Sequence, residues 1–381
     1  MNELPPLGVY VHWPYCTRIC PYCDFNVYKT RETDPARWAE ALARDLEHWA
    51  ARIPKRKLTS LYFGGGTPSL APVSVIAAVV EACARTFGFE PGAEITLEAN
   101  PTDAEQSRFA AFAATGVNRL SLGVQSLRDG ALEFLGRNHD AQTARRAIAA
   151  AQTSFCRVTF DLIYARPGQT LEDWRAELAE ALSFGTEHLS LYQLTIEPGT
   201  AFAKAVAEKR WAGADEDACA EQFDLAEEMT KAAGLPAYEI SNHARAGAQS
   251  RHNLLYWRYQ DYVGVGPGAH GRLTINGARI ATKTHDKPED YLAKVKKTGT
   301  GAEAFETLGA EAQLVERLTM GLRLTEGVAL YADDVFYAAE SRVEQLHRLI
   351  DLGLLRHDCG QLRATPDGRR VLNRIVLELL G

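Results

Sequence analysis

The sequence predicts an α/β fold built on parallel strands with helices outside them. The first observation is an alternation. Short β-type runs at 9–13, 60–63, 94–98, 119–123, 158–163 and 188–191 are separated by amphipathic helical stretches, giving six βα units by about residue 195. Repeated βα units imply a parallel sheet, either doubly wound or a barrel. The second observation is where the pattern stops. A complete eight-unit barrel takes ~250 residues, and here the alternation blurs after Leu194.

Each element has a local reason. Asp34-Pro35 supplies an N-cap and a proline at the first helical position, and Trp38, Ala41, Leu42, Leu46 and Trp49 then recur on one helical face. Thr170 and Asp173 form a weak capping box that opens a helix with Leu171, Trp174, Leu178, Ala181 and Leu182 inward. Helical spacing returns at Phe223, Ala226 and Met229, after which 236–285 is rich in glycine, aromatics and histidine. Helical patterns reappear at 313–322 and 343–354. The chain then reads turn, strand pair around Gly360, and a helix from Pro366, a small α+β, winged-helix-like arrangement. Three regions are therefore expected: 1–235, 236–300 and 301–381.

Composition limits the function classes. Of 381 residues, 46% are hydrophobic and 24% charged, the balance of a soluble globular protein. A net charge of −7 argues against a generally basic nucleic-acid binder. No apolar run approaches the ~18 residues of a transmembrane segment. The start, Met1-Asn2-Glu3-Leu4-Pro5-Pro6, lacks the basic and apolar regions of a secretory signal, so the expected address is cytoplasmic. Peripheral membrane association and a homodimer are left open.

Cysteine placement carries the strongest signal. Of seven cysteines, Cys16, Cys20 and Cys23 fall within eight residues in a C-x3-C-x2-C spacing. A secreted disulfide framework would spread pairs along a short chain. Thiolates suit zinc or iron–sulfur clusters. Structural zinc takes four protein ligands; only His12 is near enough in sequence to complete such a set. Three thiolates would instead leave one iron of a 4Fe–4S cubane open to a small molecule. The other four, Cys83, Cys156, Cys219 and Cys359, are expected to be packing residues.

Polar residues also gather where strands end. Gly64-Gly65-Gly66-Thr67-Pro68 follows the second strand, Glu98-Ala99-Asn100 the third and Gly123-Val124-Gln125 the fourth, while Asp161 lies in the fifth. Active sites of parallel α/β folds lie at that end. Gly264-Val265-Gly266-Pro267-Gly268-Ala269 formally matches a dinucleotide fingerprint, but nothing after Pro267 starts a helix, so it is read as a loop.

The stretch Tyr10-Val11-His12-Trp13-Pro14-Tyr15-Cys16-Thr17-Arg18-Ile19-Cys20-Pro21-Tyr22-Cys23 resembles the cluster-binding signature of radical S-adenosylmethionine (SAM) proteins. Gly64-Gly65-Gly66-Thr67-Pro68 is similar to the segment that holds the methionine end of SAM there. Glu98-Ala99-Asn100-Pro101, Gly123-Val124-Gln125-Ser126, Gly136-Arg137-Asn138-His139 and Asp161-Leu162-Ile163-Tyr164 resemble the branch with oxygen-independent coproporphyrinogen III dehydrogenase (HemN) and the heme chaperones HemW. The resemblance implies a partial (β/α)6 TIM-like barrel with a smaller C-terminal HemN-type part. It implies a 4Fe–4S cluster on Cys16, Cys20 and Cys23, with SAM at its open iron. It places Gly65, Gly66 and Thr67 at the amino group of SAM, Glu98, Gln125, Arg137 and Asp161 around the rest, and Tyr10, Tyr22 and Thr195 at the pocket's flanks.

Within the branch, two details favour the chaperone side. The dehydrogenase carries a further cysteine where this chain has Phe25, and a longer N-terminal extension than precedes the first strand here. His252-Asn253-Leu254-Leu255-Tyr256-Trp257 resembles the HNxxYW motif of HemW proteins, which is linked to heme. That implies His252 as a heme ligand, with His243 and His270 as further candidates, heme and heme-receiving apo-proteins as partners, and porphyrin metabolism as the setting. The enzyme alternative is radical oxidative decarboxylation of coproporphyrinogen III.

Overall fold

A computed structural model describes residues 4–30 and 32–380; Met1, Asn2 and Glu3 of the segment read for a signal lie outside it. Strand β1 (Leu7–Trp13) is buried at six of its seven positions, the signature of a parallel strand covered on both faces. Strands β2 (Leu58–Gly65), β3 (Phe89–Ala99), β4 (Arg119–Gln125), β5 (Arg157–Tyr164) and β6 (His188–Gln193) follow it side by side, all parallel. These are the six strands the alternation predicts.

The sheet then grows at both flanks. Strand β7 (Asn242–Ala244) pairs antiparallel with β6. Strand β8 (Asp261–Val265) pairs parallel with the outer edge of β1. Beyond it lie antiparallel β9 (His270–Ile275), β10 (Ala278–Thr284) and β11 (Ala302–Thr307). The spatial order among eleven strands is β11-β10-β9-β8-β1-β2-β3-β4-β5-β6-β7. Sequence distance hides this, because β8 reaches β1 across some 250 intervening residues.

Helix α1 (Pro35–Ala50) begins as expected: Asp34 accepts hydrogen bonds from the Ala36 and Arg37 amides, and Trp38, Leu42, Leu46 and Trp49 are buried. Its Asp45 is buried too, accepting from the Tyr291 and Thr300 hydroxyls. That ties α1 to helix α2 (Pro288–Thr298) across the flank. The Thr170–Asp173 capping box is formed at both of its bonds. Short helix α3 (Arg251–Trp257) lies close against β1 at Gly8, where an added Cβ would sit 2.4 Å from Leu255 Cδ1.

The C-terminal part has its own core of Leu314, Leu318, Leu346, Leu349, Leu362 and Ile375. A three-stranded sheet of Val328–Ala329, Gln361–Ala364 and Leu355–Asp358 packs with helices Ala310–Gly321, Glu340–Asp351 and Leu372–Leu380. Arg369 pins it to the main body through Glu227 and the Glu239 carbonyl.

One expectation is corrected. Cys83 is buried and Cys219 half-buried against the main core, but Cys156 and Cys359 are exposed. Cys359 sits in the left-handed turn before Gly360, so it serves the hairpin rather than a core.

Candidate functional site

Parallel strands bring their C-terminal ends to one rim, and the chemistry-bearing residues meet there. A cavity of about 410 Å3 opens on that rim. Cys16, Cys20 and Cys23 line one side of it. Gly65, Gly66, Thr67, Glu98, Gln125, Arg137, Asp161 and Tyr22 line the rest, with Thr195 at the edge.

The cysteine loop is closed by backbone pairing. Tyr15 and Cys16 pair with Tyr28 and Lys29, and the Cys23 amide donates to the Cys20 carbonyl at 3.1 Å. The thiols are held from the sheet side. Thr67 Oγ1 donates to Cys16 Sγ at 3.4 Å, and Arg137 Nη1 donates to Cys20 Sγ at 3.1 Å. Burial pushes the Cys16 thiol up to about 11 and raises Cys23 as well. Ligation must therefore displace protons that burial favours. Among the described residues no three His, Cys, Asp or Glu side chains converge on a single-ion site. The donor set is three soft thiols around an open cavity, beside a guanidinium that suits an anionic group. These residues fit a cluster with one open corner.

Arg137 is fixed by more than the thiol. Its Nη2 donates to Asn100 Oδ1 and to the Gly123 carbonyl, and its Nη1 reaches the Tyr22 hydroxyl at 3.4 Å. Asn100 in turn donates to Thr67 Oγ1 at 3.0 Å. Asn100 thus joins the two residues that hold the thiols. Its signal in the sequence was its place in Glu98-Ala99-Asn100-Pro101.

At Gly66 the backbone must come very close: a Cβ would meet the Tyr15 carbonyl oxygen at 2.7 Å. The amides of Gly66 and Thr67 are spent on the Trp13 and Tyr15 carbonyls. Neither of these two amides is therefore free for a ligand. Gln125 holds a left-handed backbone, φ 68°, uncommon for a residue with a side chain. The buried Glu177 carboxylate clamps the next two residues, accepting from Ser126 Oγ and the Leu127 amide. Arg166 closes that network through Glu177 and Ser126.

Glu98 accepts from the Tyr62 hydroxyl at 2.7 Å. Burial, with the Asp161 charge adding to it, raises Glu98 from 4.5 to about 7 despite that bond. Burial likewise raises Asp161 to about 6. A raised carboxyl binds its proton more tightly folded than unfolded, so stability is lost as pH rises from about 4.5 to about 7. Glu98→Gln removes this titration. Its advantage over the wild type is expected to grow by about 2–3 kcal/mol from about pH 5 to about pH 8, read from urea midpoints. A difference constant with pH would refute the assignment.

Tyr10 and His252 do not line this cavity. The Tyr10 hydroxyl is hydrogen-bonded to His12 Nδ1 at 3.0 Å, and its ring lies against both Tyr62 and His252, at 6.3 and 6.2 Å between ring centres. It lines a neighbouring cavity instead. His252 is 1% exposed, and neither ring nitrogen is free. Nδ1 is bonded to Ser60 Oγ at 2.8 Å and Nε2 to the Tyr256 hydroxyl at 2.7 Å. His252, expected as a heme ligand, is thus a buried side chain with both ring nitrogens hydrogen-bonded. Tyr62, which touches both Glu98 and His252, was not singled out; an ordinary strand tyrosine carries no local signal.

Comparison with known proteins gives the family. Residues 10–181 match the Radical SAM superfamily and residues 308–371 the HemN C-terminal domain. The heme chaperone HemW of Haemophilus influenzae is 40% identical over 77% of this chain and 77% of its own length. That of Mycobacterium tuberculosis (strain H37Rv) is 36% identical over 99% of this chain and 95% of its own. The chain belongs to the HemW family of radical SAM proteins. Also similar is mouse radical S-adenosyl methionine domain-containing protein 1, mitochondrial, 40% identical over 98% of this chain and 87% of its own. Membership of the radical SAM superfamily implies a 4Fe–4S cluster and SAM. The HemW-family fold is shared with Escherichia coli coproporphyrinogen III oxidase (HemN), TM-score 0.81 at 21% identity, covering 99% of this chain and 90% of that one. Among the described residues no helix of this HemW-family chain is long and apolar enough to cross a membrane.

Proposed function

We propose that the chain is a cytoplasmic heme chaperone that binds heme and passes it to apo-proteins. The carrying observation is the match to a HemW chaperone over 99% of this chain. Phe25 supports it: a 62% exposed phenylalanine stands at the rim where the dehydrogenase has a further cysteine.

In this reading Cys16, Cys20 and Cys23 hold the cluster, and Gly65, Gly66, Thr67, Glu98, Gln125, Arg137, Asp161 and Tyr22 form the SAM site. When bound, the cluster supplies an open iron for the amino and carboxylate groups of SAM and an electron for its reductive cleavage. The protein supplies the rest. Arg137 neutralises negative charge beside Cys20. Asp161 suits ribose hydroxyls. Residues 1–235 act as the cofactor core, 236–300 carry the His252 motif, and 301–381 form the HemN-type part.

The test is anaerobic. Reconstituted protein given SAM, reductant and coproporphyrinogen III is expected to form no protoporphyrinogen IX. Heme-loaded protein mixed with an apo-heme protein is expected to lose its heme to it. Porphyrinogen turnover, or failure to bind heme, would overturn the reading.

A further inference from the structure

A second cavity, of about 530 Å3, lies behind the first and shares Gly65, Glu98 and Phe25 with it as a common wall. Its lining combines an aromatic face with many polar and charged side chains, among them Glu98, Arg272, Arg279, Lys283 and Glu316. Tyr256, Trp257 and Tyr262 come from α3 and β8, and Met320 from the C-terminal part. We propose that heme is carried in this cavity, on the face of Tyr256, Trp257 and Tyr262, with His270 as its iron ligand and His252 as a positioning residue. This rests on the heme-chaperone reading above.

The choice of His270 follows from the state of the histidines at hand. His12 lines the cavity, but its Nδ1 is bonded to the Tyr10 hydroxyl and its Nε2 to the Asn26 carbonyl, at 3.0 and 2.9 Å. His252 is sealed behind the wall with both nitrogens engaged. His270 opens β9, is exposed, and has no hydrogen bond at its ring among the described residues.

Charge at the rim fits the carboxylates of heme. Arg272 is committed to a forked pair with Glu316, and Arg279 to Asp261. Lys283 is the more available cation: it is half-exposed and paired at 3.0 Å only with the exposed Asp286. It stands directly across the β9–β10 ladder from His270. Facing residues of an antiparallel pair have Cβ atoms within about 5.5 Å. An iron ligand and a carboxylate partner are thus neighbours at one cavity edge.

His252 acts through Tyr256. Its Nε2 fixes the Tyr256 hydroxyl, its ring stacks on Tyr62 at 4.8 Å, and Tyr62 donates to Glu98. One chain of contacts therefore joins the SAM side of the wall to the aromatic side. The motif holds the wall, and the ligand comes from the next hairpin.

The experiment is a heme titration of full-length, cluster-reconstituted protein, followed by Soret absorption and electron paramagnetic resonance. His270→Ala is expected to lose the histidine-ligated spectrum and weaken heme binding on the order of tenfold, with its iron–sulfur absorbance and far-UV circular dichroism unchanged. Added imidazole should restore the spectrum. His252→Gln should keep the histidine-ligated spectrum while changing affinity. If the wild type binds heme and His270→Ala matches it, this site is refuted while the chaperone reading stands. Loss of the histidine signature in His252→Gln alone also refutes it. A wild type that binds no heme overturns both.

Discussion

Cys20→Ala is expected to abolish the iron–sulfur absorbance of anaerobically reconstituted protein and, with it, SAM binding at the cluster. The thiol lines the first cavity and is the one that Arg137 touches. Two thiolates leave two irons of a cubane without protein ligands, and soft thiolate ligation is what holds such clusters. The polypeptide itself should be little disturbed. Cys20 sits in a half-buried loop closed by backbone bonds, outside the apolar core, so its removal should cost within about 1 kcal/mol. Cys83→Ala is the paired control. That side chain is fully buried between helix and sheet, so its loss should lower stability by about 1–2 kcal/mol while the cluster forms normally. A Cys20→Ala protein that keeps the cluster spectrum would remove the three-thiolate assignment.

What the sequence made legible depends on the range of the physics involved. Cys16, Gly66, Glu98, Gln125 and Asp161 could be gathered on paper because parallel strands send their C-terminal ends to one rim. Tyr10 could not be aimed. Its strand is buried on both faces, so the period-2 pattern that assigns a side in an amphipathic strand is missing. The spacing from His252 to Tyr256 and Trp257 marked the motif, but not that one imidazole nitrogen is bonded to Ser60 on β2 and the other to Tyr256 one helical turn on. The pairing of β8 with β1 left no local trace, since it joins the first strand to one past residue 260. Yet that pairing builds the second cavity. Phe25 gained most from the structure: read first as a missing cysteine, it is a wall shared by two cavities.

The same pairing supplies the largest expected loss of stability. Asp261 begins β8 with 0% exposure and is the hub of its flank. One oxygen is bonded to Arg56 and the Thr274 amide, the other to Arg279 and the Thr274 hydroxyl. Arg56 comes from the turn before β2, Thr274 from β9 and Arg279 from β10, so one carboxylate ties the parallel sheet to its antiparallel extension. Both guanidiniums are largely buried, at 10% and 7% side-chain exposure. Asp261→Ala leaves two cations without their countercharge and a strand amide without its acceptor. Removing one partner of a buried pair typically costs about 3–5 kcal/mol, because the stranded charge remains desolvated. Here two charges are stranded, so a loss at or above that range is expected from urea midpoints at constant m-value. Asp261→Asn keeps the shape and one acceptor and should cost less. The loss should also fall unevenly. Hydrogen exchange is expected to rise across β8, β9 and β10 before β3 to β6, because the lost bonds join the flank, whereas β3 to β6 keep their own ladders. A loss below about 1 kcal/mol would mean that water replaces the carboxylate and that this hub does not hold the flank in place.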